Sequence, residues 1–308
     1  MRHKIGILED KFTASSWYRS YGPLSRLTKE YDNIDIIDLP VKEINYKTLL
    51  PLTTVLILRP NSPGQLELVK LCNRLSIRVW IDLDDNLFEI PINNPAYYAY
   101  RNTDILEQCL KKADIVTVST AHLSKVIKDK TGVNSHVINN AIDEIRLDIT
   151  PRDMNIVWRG SATHYADLEI YKDVFTKLST KYTLHFMGVA PIWKINYMYH
   201  AGQNLFDFYE SFKNLKPTFL LYPLEENNFN YSKSNIAFLE ATQAGAVTMT
   251  NLHTTEWNWN SILHDPEIFE KESLEDIYTN YLENSVKIVN KYYNINDINR
   301  SRLNLLNN

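Results

Sequence analysis

Short apolar runs, largely continuous rather than alternating with polar residues, recur along this chain with helical patterns between them, and that arrangement constrains the fold most. Residues 4–8, 34–39, 54–58, 78–82, 113–119 and 136–138 read as strands in the first half, and 155–158, 183–187, 218–223 and 246–250 in the second. The intervening stretches 15–31, 63–75, 121–130, 167–181 and 206–214 carry helical patterns, with Gly22 and Pro23 breaking the first into a loop or turn and a helix. Strands without alternation are buried on both faces, so strands spaced by helices predict parallel sheets covered on each side. The first strand is expected to end at Glu9 and Asp10. A charged, strand-poor stretch at 146–154 separates the two series and reads as a linker. The predicted fold is therefore α/β, with two Rossmann-like doubly wound domains facing a cleft, spanning 1–145 and 155–272, and a helical tail at 273–308.

A chain of 308 residues is long enough for two ordinary domains. Its 44% apolar and 23% charged residues belong to the soluble globular class. No apolar run approaches the ~20 residues of a membrane span, and the first residues lead into a strand rather than a signal peptide. Cys72 and Cys109 fall in helical patterns and read as buried thiols in a reducing compartment, which makes a cytoplasmic location the expectation. A net charge of -4 gives no global basic signature for nucleic acid.

The most informative stretch runs from 218 to 250: strand, polar loop, short helix, strand. The helix is predicted to place Ser232, Lys233, Asn235 and Ile236 in its first turn, with Ser234 among them, where free N–H groups and the positive dipole end attract anions. Ile236, Leu239 and Glu240 follow on neighbouring rows. A carboxylate in an apolar-faced helix behind a Lys-Ser pair suits a nucleotide carrying a diphosphate and a ribose. The plainer reading makes Glu240 a solvated helix residue and Gly245 an ordinary C-cap. Tyr222, Pro223 and Leu224, just upstream, are candidates for lining a base or sugar pocket.

In doubly wound sheets, ligands bind beyond the carboxyl ends of the strands, which selects further loops. After the first strand, Arg19 offers bidentate phosphate contacts and Gly22 a close backbone approach. After the strand at 78–82 stand Asp82, Asp84 and Asp85. Three carboxylates invite a divalent-cation reading, but in a two-domain doubly wound architecture no metal site is assigned. Asp84 and Asp85 are instead expected to face the cleft, one orienting an acceptor hydroxyl or acting as its base. One of the three could equally cap the following turn. After the strand at 155–158, Arg159, Gly160, Ser161 and Thr163 supply donors and tight backbone for phosphates, with His164 and Asp167 close behind. Here Thr163 or Asp167 can also serve as a helix cap. His122 reads as a helix-start residue.

The 231–247 segment, with Glu240 and Ala241 before a small-residue turn and a strand, resembles the donor-binding helix of GT-B glycosyltransferases, above all the large family 4. The turns around Tyr18, Arg19, Gly22 and Pro23, and around Gly160, Ser161, His164 and Asp167, resemble a phage and cyanobacterial subgroup. The resemblance implies a nucleotide-sugar-dependent, metal-independent, retaining transferase without a resident cofactor, using a UDP-sugar as co-substrate. It implies that Glu240 holds the ribose, that Lys233, Arg159 and Arg19 neutralise the diphosphate, and that the 1–145 domain serves the acceptor while 155–272 holds the donor. The tail is expected to pack back toward the first domain. The family motif has a second Glu eight residues before the first, where this chain has Ser232, so either the sugar differs or another residue contacts it. The implied acceptor is a glycan or other hydroxyl compound. Alternatives are a phage-type enzyme acting on a hydroxylated base in DNA, and a non-catalytic sugar-nucleotide binder or epimerase. No oligomeric state is assigned.

Overall fold

A computed structural model describes residues 2–8, 13–39, 44–147, 149–150, 152–271 and 274–307. The expected strand end at Glu9 and Asp10, and Asp148 and Pro151 of the linker, lie outside the described residues.

Two separate sheets form, and every pairing in both is parallel. The first contains β1 (His3–Leu8), β2 (Ile34–Asp38), β3 (Thr54–Leu58), β4 (Arg78–Leu83), β5 (Ile115–Val118) and β6 (His136–Val137), in the order β2-β1-β3-β4-β5-β6. The second contains β7 (Asn155–Gly160), β8 (Thr183–Gly188), β9 (Met198–Ala201), β10 (Phe219–Leu221) and β11 (Val247–Met249), in the order β11-β10-β7-β8-β9. β3, β10 and β11, free of charged residues and interrupted only by Thr54 and Thr248, are buried at every residue. Apolar clusters cover both faces of each sheet, as parallel strands require.

Three local expectations change. Gly22 and Pro23 do not interrupt the first helical stretch. Trp17–Tyr21 winds as a π-helix, Gly22 N–H bonds to Trp17 O, and helix Gly22–Glu30 continues directly. The wider turn accommodates a residue without an N–H that a regular interior would reject. Strand β9 was not foreseen. It is a short, largely exposed edge element with no apolar run to announce it. The helix expected from Ser232 begins at Ile236, because a separate short helix, Asn228–Tyr231, ends against Ser232.

The tail comprises helices Leu274–Tyr292 and Ile295–Asn307. Between them the chain bonds to the end of the first half, Ile142 N donating to Tyr293 O at 3.0 Å and Ile295 N to Ile142 O at 2.9 Å. The last helix then packs on the 22–30 helix. Leu306 joins the cluster containing Leu24 and Leu27, and Asn299 Nδ2 donates to Pro23 O at 2.8 Å. Burying each such leucine contributes roughly 1.5–3 kcal/mol. The tail thus crosses back onto the first domain.

Candidate functional site

Strand order locates the crevices. In the first sheet the direction of winding reverses between β1 and β3, and in the second between β7 and β10. Loops leaving the carboxyl ends at such points diverge and leave room for a ligand. The loop after β3 supplies Arg59, that after β4 supplies Asp84 and Asp85, β7 ends in Arg159 and Gly160 and leads on to His164, and the segment after β10 runs from Tyr222 to Lys233.

Asp84 and Asp85 project together and are bridged by one guanidinium. Arg59 Nε donates to Asp84 and Arg59 Nη2 to Asp85 at 2.9 Å. Arg59 holds a positive φ of 45°, uncommon for a residue with a side chain. Such strain persists where surrounding contacts over-determine it, and it concentrates at sites. From the second half, Lys233 Nζ reaches Asp85 Oδ1 at 3.5 Å and lies 4.5 Å from the Phe229 ring centroid. Burial works to raise the Asp85 carboxyl, but Lys233, Arg59 and His164 outweigh it and hold the group well below the usual carboxylate range. Burial likewise opposes the charge on Lys233, yet Asp85 and the Tyr222 hydroxyl hold its affinity for the proton above normal. A carboxylate this acidic is a weak base, better at accepting a hydrogen bond than at removing a proton.

The second charge pair lies within the C-terminal half. Glu240 is 3% exposed, not solvated. Arg159 Nη2 donates to its Oε2, and Tyr18 Oη, from the first half, donates to its Oε1 at 2.8 Å. Arg159 also stands over the Tyr222 ring at 5.3 Å and the Phe208 ring at 5.7 Å, while its buried Nε has no partner among the described residues. His164 Nδ1 lies 2.8 Å from Asp167 Oδ2. Burial and Lys233 depress the imidazole's pKa more than Asp167 raises it, so the ring is neutral at pH 7. Donation from Nδ1 then leaves Nε2 as the acceptor. Asp167 itself is buried, accepting from Glu225 N at 2.7 Å and Asn230 Nδ2 at 2.9 Å. It thereby fixes the loop after β10 rather than capping alone.

Other predicted residues are placed differently. Arg19 is 1% exposed and gives four of its five N–H donors to protein: Nε and Nη2 to Asp82, both at 2.8 Å, and Nη1 to Ile138 O and Asn140 Oδ1. It ties the first helix to β4 and to the end of the first half, and no face remains for a phosphate. Asp82 also accepts from Thr117 Oγ1 at 2.5 Å and is structural too. Ser232 is fully buried, its hydroxyl donating to Asn228 O at 2.9 Å. Asn235 is spent on Glu256 O and the Tyr293 hydroxyl. Ser234 accepts from Asn140 Nδ2 at 2.8 Å, one of several contacts joining the two halves. Gly22 sits against the Trp17 ring. At Gly160 a Cβ would meet the Trp158 ring at 2.7 Å, so this glycine makes room for a side chain of the protein itself. Ser161 is exposed and pairs with the Thr163 hydroxyl at 2.7 Å.

Arg59 was missed, although an arginine directly after an apolar strand satisfies the carboxyl-end rule. Tyr18 was visible only as part of its turn. With Trp17, Phe206, Tyr209 and Gln243 it lines a cavity of about 270 Å³ beside Glu240.

No known family profile matches the chain, and no curated protein matches its sequence. Solved structures do resemble it. Sucrose-phosphate synthase of Thermosynechococcus elongatus superimposes with a TM-score of 0.69 at 9% identity, covering 99% of this chain and 98% of that one. HepE of Anabaena, solved with UDP and glucose, gives 0.61 at 9%, covering 99% and 100%. TarM gives 0.61 at 13%, with 83% of this chain and 55% of TarM covered, so the chain spans about half of TarM's length. At such identities the likeness concerns architecture: the chain has the two-domain, Rossmann-like GT-B fold.

Proposed function

We propose that the chain is a nucleotide-sugar-dependent glycosyltransferase using a UDP-sugar. Residues 1–145 serve the acceptor side, 155–272 the donor side, 146–154 the linker and 273–308 the returning tail. The observation that carries this reading is the pair of cationic side chains, Lys233 and Arg159, held by acidic partners at the carboxyl ends of strands beside one short helix. In this reading the diphosphate takes the place of Asp85 on Lys233 and uses the unpartnered Nε of Arg159. The ribose hydroxyls replace Tyr18 on Glu240, and the base enters the cavity with Trp17 and Phe206. HepE, which shares the fold, binds UDP and glucose.

In the reaction the acceptor hydroxyl oxygen bonds to the anomeric carbon. The bond from that carbon to the diphosphate oxygen breaks, UDP departs with the electron pair, and the hydroxyl proton passes to phosphate or solvent. Fixed cations at the departing charge lower the barrier, and the cleft limits hydrolysis. Asp84 and Asp85 orient the acceptor hydroxyl, without a protein-bound metal. Retention of configuration follows from the family resemblance, with the cytoplasm as location.

Thermal unfolding with UDP, and with UDP-sugars, tests the donor site. The wild type is expected to gain stability, about 2.7 kcal/mol when UDP exceeds its Kd a hundredfold, with the gain lost in Glu240→Ala and Lys233→Ala. No shift in the wild type, or equal shifts in both variants, overturns the assignment. UDP release that requires an acceptor separates transfer from simple binding.

A further inference from the structure

A second cavity, of about 560 Å³, lies where the two halves meet. His122, at the start of the helix after β5, lines it from the first half. Glu226 and Tyr231, from the segment after β10, and Thr254, Thr255 and Glu256, from the segment after β11, line it from the second. Its volume is that of an ordinary small-ligand pocket.

This cavity adjoins the site through hydrogen bonds on two sides. Glu256 O accepts from Asn235 Nδ2 at 3.0 Å, next to Ser234 and Lys233. Glu256 Oε2 lies 3.4 Å from Asn139 Nδ2, which also donates to Ser119 O, and Ser119 Oγ donates to Asp84 O at 3.0 Å. Both the helix that would face the donor and the loop of paired aspartates therefore share framework with the cavity wall.

The lining chemistry selects the ligand. No lysine or arginine lines the cavity among the described residues; its polar groups are threonine hydroxyls, the imidazoles of His122 and His253, and the acidic side chains of Glu226 and Glu256, which stand against an anion. Glu256 is 8% exposed, and among the described residues only that long contact reaches its carboxylate. Burial pushes the carboxyl up to about 7, so near neutrality it both donates and accepts, as a hydroxyl partner needs. Thr254 Oγ1 is buried with no partner among the described residues. His122 and Tyr231 meet edge to face at 6.1 Å and form an aromatic wall for the C–H face of a sugar ring.

We propose that this cavity binds the acceptor, a neutral hydroxyl-rich molecule of the saccharide or polyol class. The proposal rests on the glycosyltransferase reading above. It places the acceptor between His122 of the first half and Tyr231, Thr254 and Glu256 of the second, and hydrogen bonds through Asn139 and Ser119 tie this wall to the Asp84 main chain.

Saturation-transfer NMR on the full chain tests it, with methyl α-glucoside, methyl α-mannoside, methyl N-acetyl-β-glucosaminide and glycerol as neutral probes and glucose 6-phosphate as the anionic comparison. At least one neutral probe is expected to bind. Its Kd should rise about tenfold in both His122→Ala and Tyr231→Ala and stay unchanged in Lys70→Ala, a surface change outside the cavity lining. Binding of no neutral probe, tighter binding of the phosphate, or equal binding in wild type and both cavity variants overturns the proposal. UDP thermal shifts on the same samples keep the two readings apart. UDP stabilisation without glycoside binding refutes only the cavity. Loss of UDP stabilisation in the wild type refutes the donor site, and the acceptor role with it.

Discussion

Glu256 provides the sharpest test of the physical reasoning, because one cause dominates its behaviour. Its carboxyl is pushed by burial from 4.5 to about 7, and its one hydrogen bond among the described residues, from Asn139 Nδ2, is long at 3.4 Å. Such a displacement corresponds to about 3 kcal/mol against the ionised form in the folded chain. The sign follows from linkage. Below pH 4.5 the group is protonated in both folded and unfolded chains and costs nothing. As pH rises toward 7 the unfolded chain ionises freely while the folded one resists, and above 7 the full cost is present. Glu256→Gln keeps shape and hydrogen-bonding capacity, leaves the main-chain bond from Asn235 in place, and removes the ionisation. The variant should be more stable than the wild type by about 3 kcal/mol at pH 8 and by only about 1 kcal/mol at pH 5. Urea unfolding at the two pH values measures this, with the slope unchanged and the midpoint displaced. A difference that is the same at both pH values, or a variant less stable at pH 8, would show that burial is not what governs this carboxyl.

Three further outcomes are expected. Arg19→Met leaves Asp82 buried beside Thr117 with its cation gone, and should cost about 3–5 kcal/mol in urea unfolding, with much of the loss recovered in the double variant with Asp82→Asn. Gly188 has a φ of 100° and a Cβ there would collide with the Gly160 carbonyl oxygen, so Gly188→Ala should lower stability by more than about 1 kcal/mol and weaken UDP binding through the displaced 160 loop. Arg59→Ala releases Asp84 and Asp85 from their shared partner, and transfer should fall on the order of a hundredfold while UDP still stabilises the chain. Unchanged transfer in that variant would reduce Arg59 to a structural role.

The layered architecture was legible because it is written in single-residue statistics. Runs such as 54–58 and 246–250 carry nothing more polar than a threonine and no charged residue on either face, which a doubly covered sheet satisfies. Strand order was not legible, since parallel pairing depends on which runs meet in space, and this hid Arg59 after β3 at the first reversal point. Glu240, Lys233, Arg159 and His164 were singled out from the sequence as candidates, and the fold brings Arg159 onto Glu240 and Lys233 beside Asp85. Arg19 misled because a guanidinium fits a phosphate and a buried aspartate equally well, and only the fold brings Asp82, Ile138 and Asn140 around it. Ser232 was placed in the helix's first turn because nothing in the sequence announces the extra turn at Asn228–Tyr231. β9 shows the complementary failure, an exposed edge whose side chains obey no burial pattern.

The return of the 295–307 helix onto the 22–30 helix also has a consequence during synthesis. Leu24 and Leu27 leave the ribosome long before Leu306, which completes their cluster and follows the whole second half. Until then the first half carries an incompletely covered apolar face, and its 78–83 strand lacks the bond from Arg78 to Leu305 and Leu306 carbonyls. Domains ordinarily mature from the N-terminus as the chain emerges. Here the order is partly inverted: the first half matures last, and a chain stalled after 292 should be an object for chaperones rather than a functional fragment.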